Sequence, residues 1–157
     1  MAQTMTATHP ITTPRSRLAG LLDMLGRVPL SLHLLLFRLA VASVFFKAGM
    51  TKWASWESTI ALFAEEYKVP VLPPAMAAAL ATTFELGCST LLALGLATRL
   101  ATLPILGQLM VIQLFVYPQA WTEHIVWGSI LLLLLTRGAG AISLDRLIGL
   151  EPSDRAR

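Results

Sequence analysis

Four long apolar stretches, at about residues 30–53, 74–96, 100–117 and 121–136, dominate the chain and leave few architectures open to it. A run of about 20 apolar residues rising about 1.5 Å each matches the hydrocarbon thickness of a bilayer. The expected fold is therefore an all-α integral membrane protein, a four-transmembrane-helix bundle. Only 13% of the 157 residues are charged, against about 25% in a soluble domain. Four spans use up the length, and a separate soluble catalytic domain does not fit. The fourth stretch is short: from Trp121 to Thr136 it gives about 16 residues, just under the usual range of about 17–25. It spans by thinning the bilayer, by a re-entrant path or by extension through Gly140. Trp121 and Trp127 suit the headgroup belt at its start.

The polar segments divide the rest. Residues 1–17 are too poor in apolar side chains to pack and read as a disordered tail. Leu18, Leu21, Leu22 and Leu25 then recur at helical spacing, as in an amphipathic helix on a membrane surface. Together these make an N-terminal segment, 1–28, before a membrane domain at 29–147 and a polar tail at 148–157. The acidic loop 54–73 holds a short interfacial helix at about 58–67. Pro74 sits at a tolerated first turn, and Pro104 predicts a kink. The first apolar run follows about 27 polar or mixed residues without a cleavage-site pattern, so it reads as an uncleaved signal anchor.

The formal charge of +3 does not imply nucleic acid, because the basic residues stand singly beside apolar runs and form no patch with interleaved aromatics. They orient the chain. Arg15, Arg17, Arg27, Arg99, Arg137, Arg146, Arg155 and Arg157 fall on one side of the four spans, with Lys68 opposite and Lys52 at the boundary. By the positive-inside rule that side is cytoplasmic, with both termini on it.

Charged groups within the spans are the most informative residues. Each costs about 2.5–3.5 kcal/mol at the centre of a bilayer and needs a partner. Arg38 and Lys47 on the first span and Glu85 on the second make, with Lys52, a candidate buried polar cluster. Arg38 is the expected partner of Glu85, since a guanidinium holds a carboxylate bidentately, while Lys52 is expected to snorkel at the interface. The pair either locks two helices or forms a proton-handling or head-group site. Cys88, three residues beyond Glu85, is a small apolar residue or a redox thiol, and it has no disulfide or zinc-ligand partner. Glu123 and His124, beside Trp127, form an interfacial collar or a place for a quinone head group. Gln108 and Gln113 are expected to hydrogen-bond across helices. No phosphate loop, dinucleotide fingerprint, zinc-protease motif or nucleophile elbow is present, no metal site is expected, and the histidines are misplaced for sandwiching a haem.

Arg38, Gly49 and Lys52 in RLAVASVFFKAGMTKW, Glu85 with Leu94, Gly95, Leu96, Thr98 and Arg99 in FELGCSTLLALGLATRL, and the closing RGAGAISLD from Arg137 to Asp145 together resemble the DoxX family over residues 32–147. The resemblance implies four helices in the bacterial inner membrane and a redox context: a quinol oxidase subunit, thiosulfate:quinone oxidoreductase activity, and relatives associated with thiol-redox proteins. It carries over Arg38, Lys52, Glu85, Arg99, Ser143 and Asp145 without a catalytic role for any. Lys47 matches part of the family only, and Ala139 stands where proline is common. Ser143 and Asp145 would begin a short helix as N-cap and first-turn acid.

Three functions compete. A membrane redox subunit would present quinone, or a soluble oxidoreductase, at the bilayer. A noncatalytic scaffold or assembly factor would use its charges only to fasten the bundle. A small-molecule or metal transporter would need an oligomer to assemble a polar path. The first is preferred, with enzyme activity left open.

Overall fold

The computed structural model describes residues 14–150, and every regular element among them is a helix. Helix α1 is Pro14–Gly26, α2 Leu30–Ala54, α3 Trp56–Leu62, α4 Pro74–Leu94, α5 Thr98–Val111, α6 Trp121–Arg137 and α7 Leu144–Leu147. Two of them end in a wider π turn, α3 through Phe63–Tyr67 and α5 through Ile112–Val116. Each turn is closed by a hydrogen bond back over five residues, from Lys68 N to Phe63 O and from Tyr117 N to Ile112 O.

Three helices are long and apolar enough to cross a membrane: α2, α4, and α5 with its π turn. At 17 residues, α6 reaches only about 26 Å, as its short apolar stretch foretold. These four pack in a closed ring, α2 on α4, α4 on α5, α5 on α6 and α6 back on α2. The ring buries Val41, Ala42, Phe45, Leu92, Ala101, Ile105, Leu109 and Leu131. Its outer surface is as apolar as its core, with Leu36, Leu39, Phe46, Leu103, Met110 and Leu132 all exposed. In water such a face would be an aggregation liability; against lipid tails it is solvated.

Helices α2 and α4 pack tightly at Gly49, where a β-carbon would stand 2.9 Å from Leu86 and 3.0 Å from the Glu85 Cβ. A small residue lets the two backbones approach. At the other end of α4, Gly95 takes a left-handed conformation (φ 67°) and closes the helix, with Leu96 N donating to Leu91 O. The chain then re-enters α5 within three residues.

Several expected boundaries move. Helix α1 begins at Pro14, so residues 14–17 are helical where a tail was expected; proline is preorganised for a first turn. The tail readings for residues 1–13 and 151–157 lie outside the described residues. A helix stands where one was expected at 58–67, as α3 and its π turn, beginning two residues earlier. Pro104 lies inside α5, which continues past it to Val111.

Candidate functional site

The first polar centre lies where α2, α4 and α5 meet. Because Gly49 sets its level on α4 beside Glu85, the residue one turn further along α2, Lys52, is the cation brought to that carboxylate. Lys52 Nζ donates to both Glu85 oxygens at 2.8 Å. From α5, Gln108 Nε2 donates to Glu85 Oε1 at 2.6 Å. Glu85 is buried, and the Lys52 side chain keeps 16% of its surface. Thr59 on α3 hydrogen-bonds the Lys52 carbonyl and ties the α2–α3 corner to the site.

This arrangement corrects the expected Arg38–Glu85 pair and the snorkelling role of Lys52. The expected pairing rested on the bidentate fit of a guanidinium to a carboxylate, which takes no account of the level at which α2 passes α4. The close approach at Gly49 places Glu85 at the level of Gly49, about 16 Å along α2 from Arg38. Lys47, the fourth member of the expected cluster, faces outward and is exposed.

Beside Lys52, Glu85 and Gln108 lies a cavity of about 420 Å³. Its walls are apolar: Phe63, Val69, Leu72, Ala77, Leu80, Ala81 and Phe84 on one side, Pro104, Gly107, Val111, Ile112 and Val116 on the other. Both π turns contribute to the wall, and π turns recur at functional sites. Tyr67 and Tyr117 complete the lining, their rings edge to face at 5.7 Å, with Tyr117 Oη donating to Glu66 at 2.8 Å. The nearby Tyr67 hydroxyl, then Glu66, hold the Tyr117 phenol above its ordinary pKa. An apolar cavity of this size with a few convergent polar groups is the usual form of a small-molecule site.

A second polar centre closes the opposite end of the bundle. Arg38, 1% exposed, donates from Nη2 to the Ile142 carbonyl. Its guanidinium lies against Gly95, where any β-carbon would stand 1.7 Å from Nη1. Buried Asp145 accepts from Ala97 N at 2.6 Å and Thr98 N at 2.9 Å, capping α5, while its own N–H donates to Gly95 O. Ser143 caps α7 by accepting from Arg146 N, as expected. This centre is a clamp of backbone and side chain. It joins α2, the α4–α5 turn and the segment after α6.

The other expected contacts are dispersed. Cys88 packs against the apolar core, one turn from Glu85 and outside the cavity lining. Arg99 is exposed in the first turn of α5. His124 Nδ1 meets Gln113 Oε1 at 2.6 Å, and Gln113 Nε2 reaches Pro118 O. Trp127 packs against the core. Neither His124 nor Trp127 lines the cavity. Gln108 does bond across helices as expected, but to the central carboxylate. Among the described residues, no group of three His, Cys, Asp or Glu side chains is placed to hold a metal.

Among protein-family models, that of the DoxX family matches residues 33–118. The match includes Arg38, Gly49, Lys52, Glu85, Gly95 and Gln108, and stops before the RGAGAISLD segment. No curated protein and no solved structure matches the chain.

Proposed function

The chain belongs to the DoxX family, and from that premise we propose that it is a membrane subunit of a redox complex that receives a quinone-type molecule in the cavity beside Lys52. Family membership and three membrane-length apolar helices support a membrane protein. In the proposed topology α2, α4, α5 and α6 are the four spans, with α6 short. The bacterial inner membrane holds the bundle, and both termini are cytoplasmic. Arg27, Arg99, Arg137 and Arg146 gather at the clamped end, which the positive-inside rule makes cytoplasmic. The cavity then lies in the half of the bundle nearer the far side of the membrane.

The observation that carries the ligand reading is one donor-rich corner in an otherwise apolar cavity. The walls suit a ring and short tail, and the Lys52 ammonium and Gln108 amide offer polar contacts at one end. Glu85 balances the ammonium, so the site needs no net charge on its occupant.

The test is purification from native membranes in mild detergent, then organic extraction for quinone and mass spectrometry of co-eluting proteins. Stoichiometric quinone that disappears in Lys52→Met, or a reproducibly co-eluting oxidoreductase, is the expected result. A ligand-free, partner-free bundle overturns it. That outcome favours the second reading, a noncatalytic scaffold, for which the Arg38–Asp145 clamp is the supporting observation.

A further inference from the structure

Helix α2 carries three charged residues, and two of them are met inside the bundle: Arg38 by the Ile142 carbonyl and Lys52 by Glu85. The third, Lys47, is not. It lies about 200° around the helix from Gly49, on the side turned away from α4, and is exposed. Its ammonium meets no hydrogen-bond or ion-pair partner among the described residues. Ala42 is the midpoint of the 25-residue helix, and Lys47 stands about 8 Å beyond it, within the hydrocarbon region in the proposed topology. Ionisable side chains at such depth almost always face protein or water and find a partner. A lysine facing lipid reaches the interface by laying its stem along apolar neighbours. The residues that follow Lys47 on this face, Thr51 and Ala54, are too short to cover that stem. Ala40 and Ser43, which precede it, are equally short, and all four are exposed. Both hydroxyls are spent on their own helix, Ser43 donating to Ala40 O and Thr51 to Lys47 O. Short side chains around a charge let another helix come close to it.

We infer that this face of α2 docks a transmembrane helix of a different protein, and that an Asp or Glu carboxylate on that helix pairs with Lys47. The inference rests on the reading of the chain as a subunit of a membrane complex, and it supplies the contact. A second copy of this chain does not fit. Within its spans the only carboxylates are Glu85, already held by Lys52 and Gln108, and Glu123 in the first turn of α6. Two copies meeting through α2 would also set Lys47 against Lys47. A soluble partner cannot reach a residue inside the bilayer. The carboxylate makes the contact selective, because any other helix laid on this face would leave the ammonium buried and unpaired.

The experiment uses the full-length chain in its native membranes, with the photoreactive residue p-benzoylphenylalanine in place of Ser43, of Thr51 or, as a control, of Leu103 on the exposed face of α5. Irradiation and mass spectrometry then identify the adducts. The Ser43 and Thr51 sites are expected to capture the same transmembrane segment of one other protein, with an Asp or Glu in it, and the Leu103 site is not. With Lys47→Gln the yield should fall at least about tenfold, and with Lys47→Arg it should persist. Exchanging the charges, Lys47→Glu against a lysine in place of the captured carboxylate, should restore it. Lys47 stands outside the cavity lining and holds nothing in the bundle, so the thermal unfolding midpoint of Lys47→Gln should match that of the unaltered chain, which shows that the variant folds. Adducts with lipid alone, with a second copy or with a segment lacking a carboxylate overturn the inference. So do equal capture at the Leu103 site and a yield that Lys47→Gln leaves intact. Bound quinone without an adduct overturns this inference and leaves the ligand reading standing, an adduct without quinone does the reverse, and the absence of both removes both.

Discussion

Lys52 and Glu85, thirty-three positions apart, meet with both carboxylate oxygens 2.8 Å from one ammonium nitrogen. Removing either partner leaves a charge with poor solvation, a loss of about 3–5 kcal/mol for a buried pair, with the lower end expected because Lys52 is partly exposed. Glu85→Gln and Lys52→Met should each lower the thermal unfolding midpoint in detergent, and the double variant should recover most of the loss. The same cycle on Arg38 and Glu85 should show coupling below about 0.5 kcal/mol. Coupling of 2 kcal/mol or more there, on the scale of contacting pairs, would refute the assignment.

Gly95 has two reasons to be glycine: a left-handed backbone and the Arg38 guanidinium where a side chain would stand. The conformation alone disfavours alanine by about 1–2 kcal/mol, and the contact adds displacement of a buried cation. Gly95→Ala should therefore destabilise more than Gly87→Ala, since Gly87 has open space at its β-carbon. Comparison of the two midpoints in one detergent checks this, and equal midpoints would contradict the close contact.

Asp145 holds the first turn of α5 through two backbone N–H groups. Losing a cap costs about 0.5–2 kcal/mol, and leaving a second buried donor unmet adds about 1–3. Asp145→Ala should thus cost about 1.5–5 kcal/mol. Asp145→Asn, which retains one acceptor oxygen, should cost about half as much. Hydrogen exchange at Ala97 and Thr98 is the direct measurement, and protection unchanged in the alanine variant would rule out the cap.

The Tyr117 phenol is held above its ordinary value, so the folded state binds that proton more tightly than the unfolded chain does. The stabilisation is fully present below the unfolded tyrosine pKa of about 10 and is lost as pH rises through the higher folded value. Absorbance titration of Tyr67→Phe, which leaves Tyr117 as the chain's single tyrosine, should give a midpoint above that of a free tyrosine in the presence of Glu66. With Glu66→Gln the midpoint should fall. A midpoint of about 10 in both would show that the contact does not form.

Charges within apolar runs are rare enough to announce themselves, and so Arg38, Lys52 and Glu85 were legible in the sequence, as were the Ser143 cap and the short α6. Their pairing was not. Which cation meets Glu85 depends on the level at which α2 passes α4, and Gly49 sets that level through a contact with Leu86 on another helix. A glycine in a helix shows that some neighbour comes close, without naming it. Gln108 was legible as interhelical polar glue, but nothing local marks its partner as the central carboxylate. The two π turns have no compositional signature in FAEEY or IQLFV, and the cavity they flank could not be foreseen from either.

The Arg38–Asp145 clamp and the cavity lie at opposite ends of the same helices, which gives the bundle the mechanics of a peg. From Thr98 to Val116, α5 with its π turn has 19 residues and is about 28 Å long. A tilt of about 5° about its fastened end carries the free end through about 2 Å, comparable to the half-thickness of an aromatic ring. A small angular difference at the fastened end is thus magnified where Ile112, Val116 and Tyr117 border the cavity, so the packing at one end of α5 sets the width available at the other.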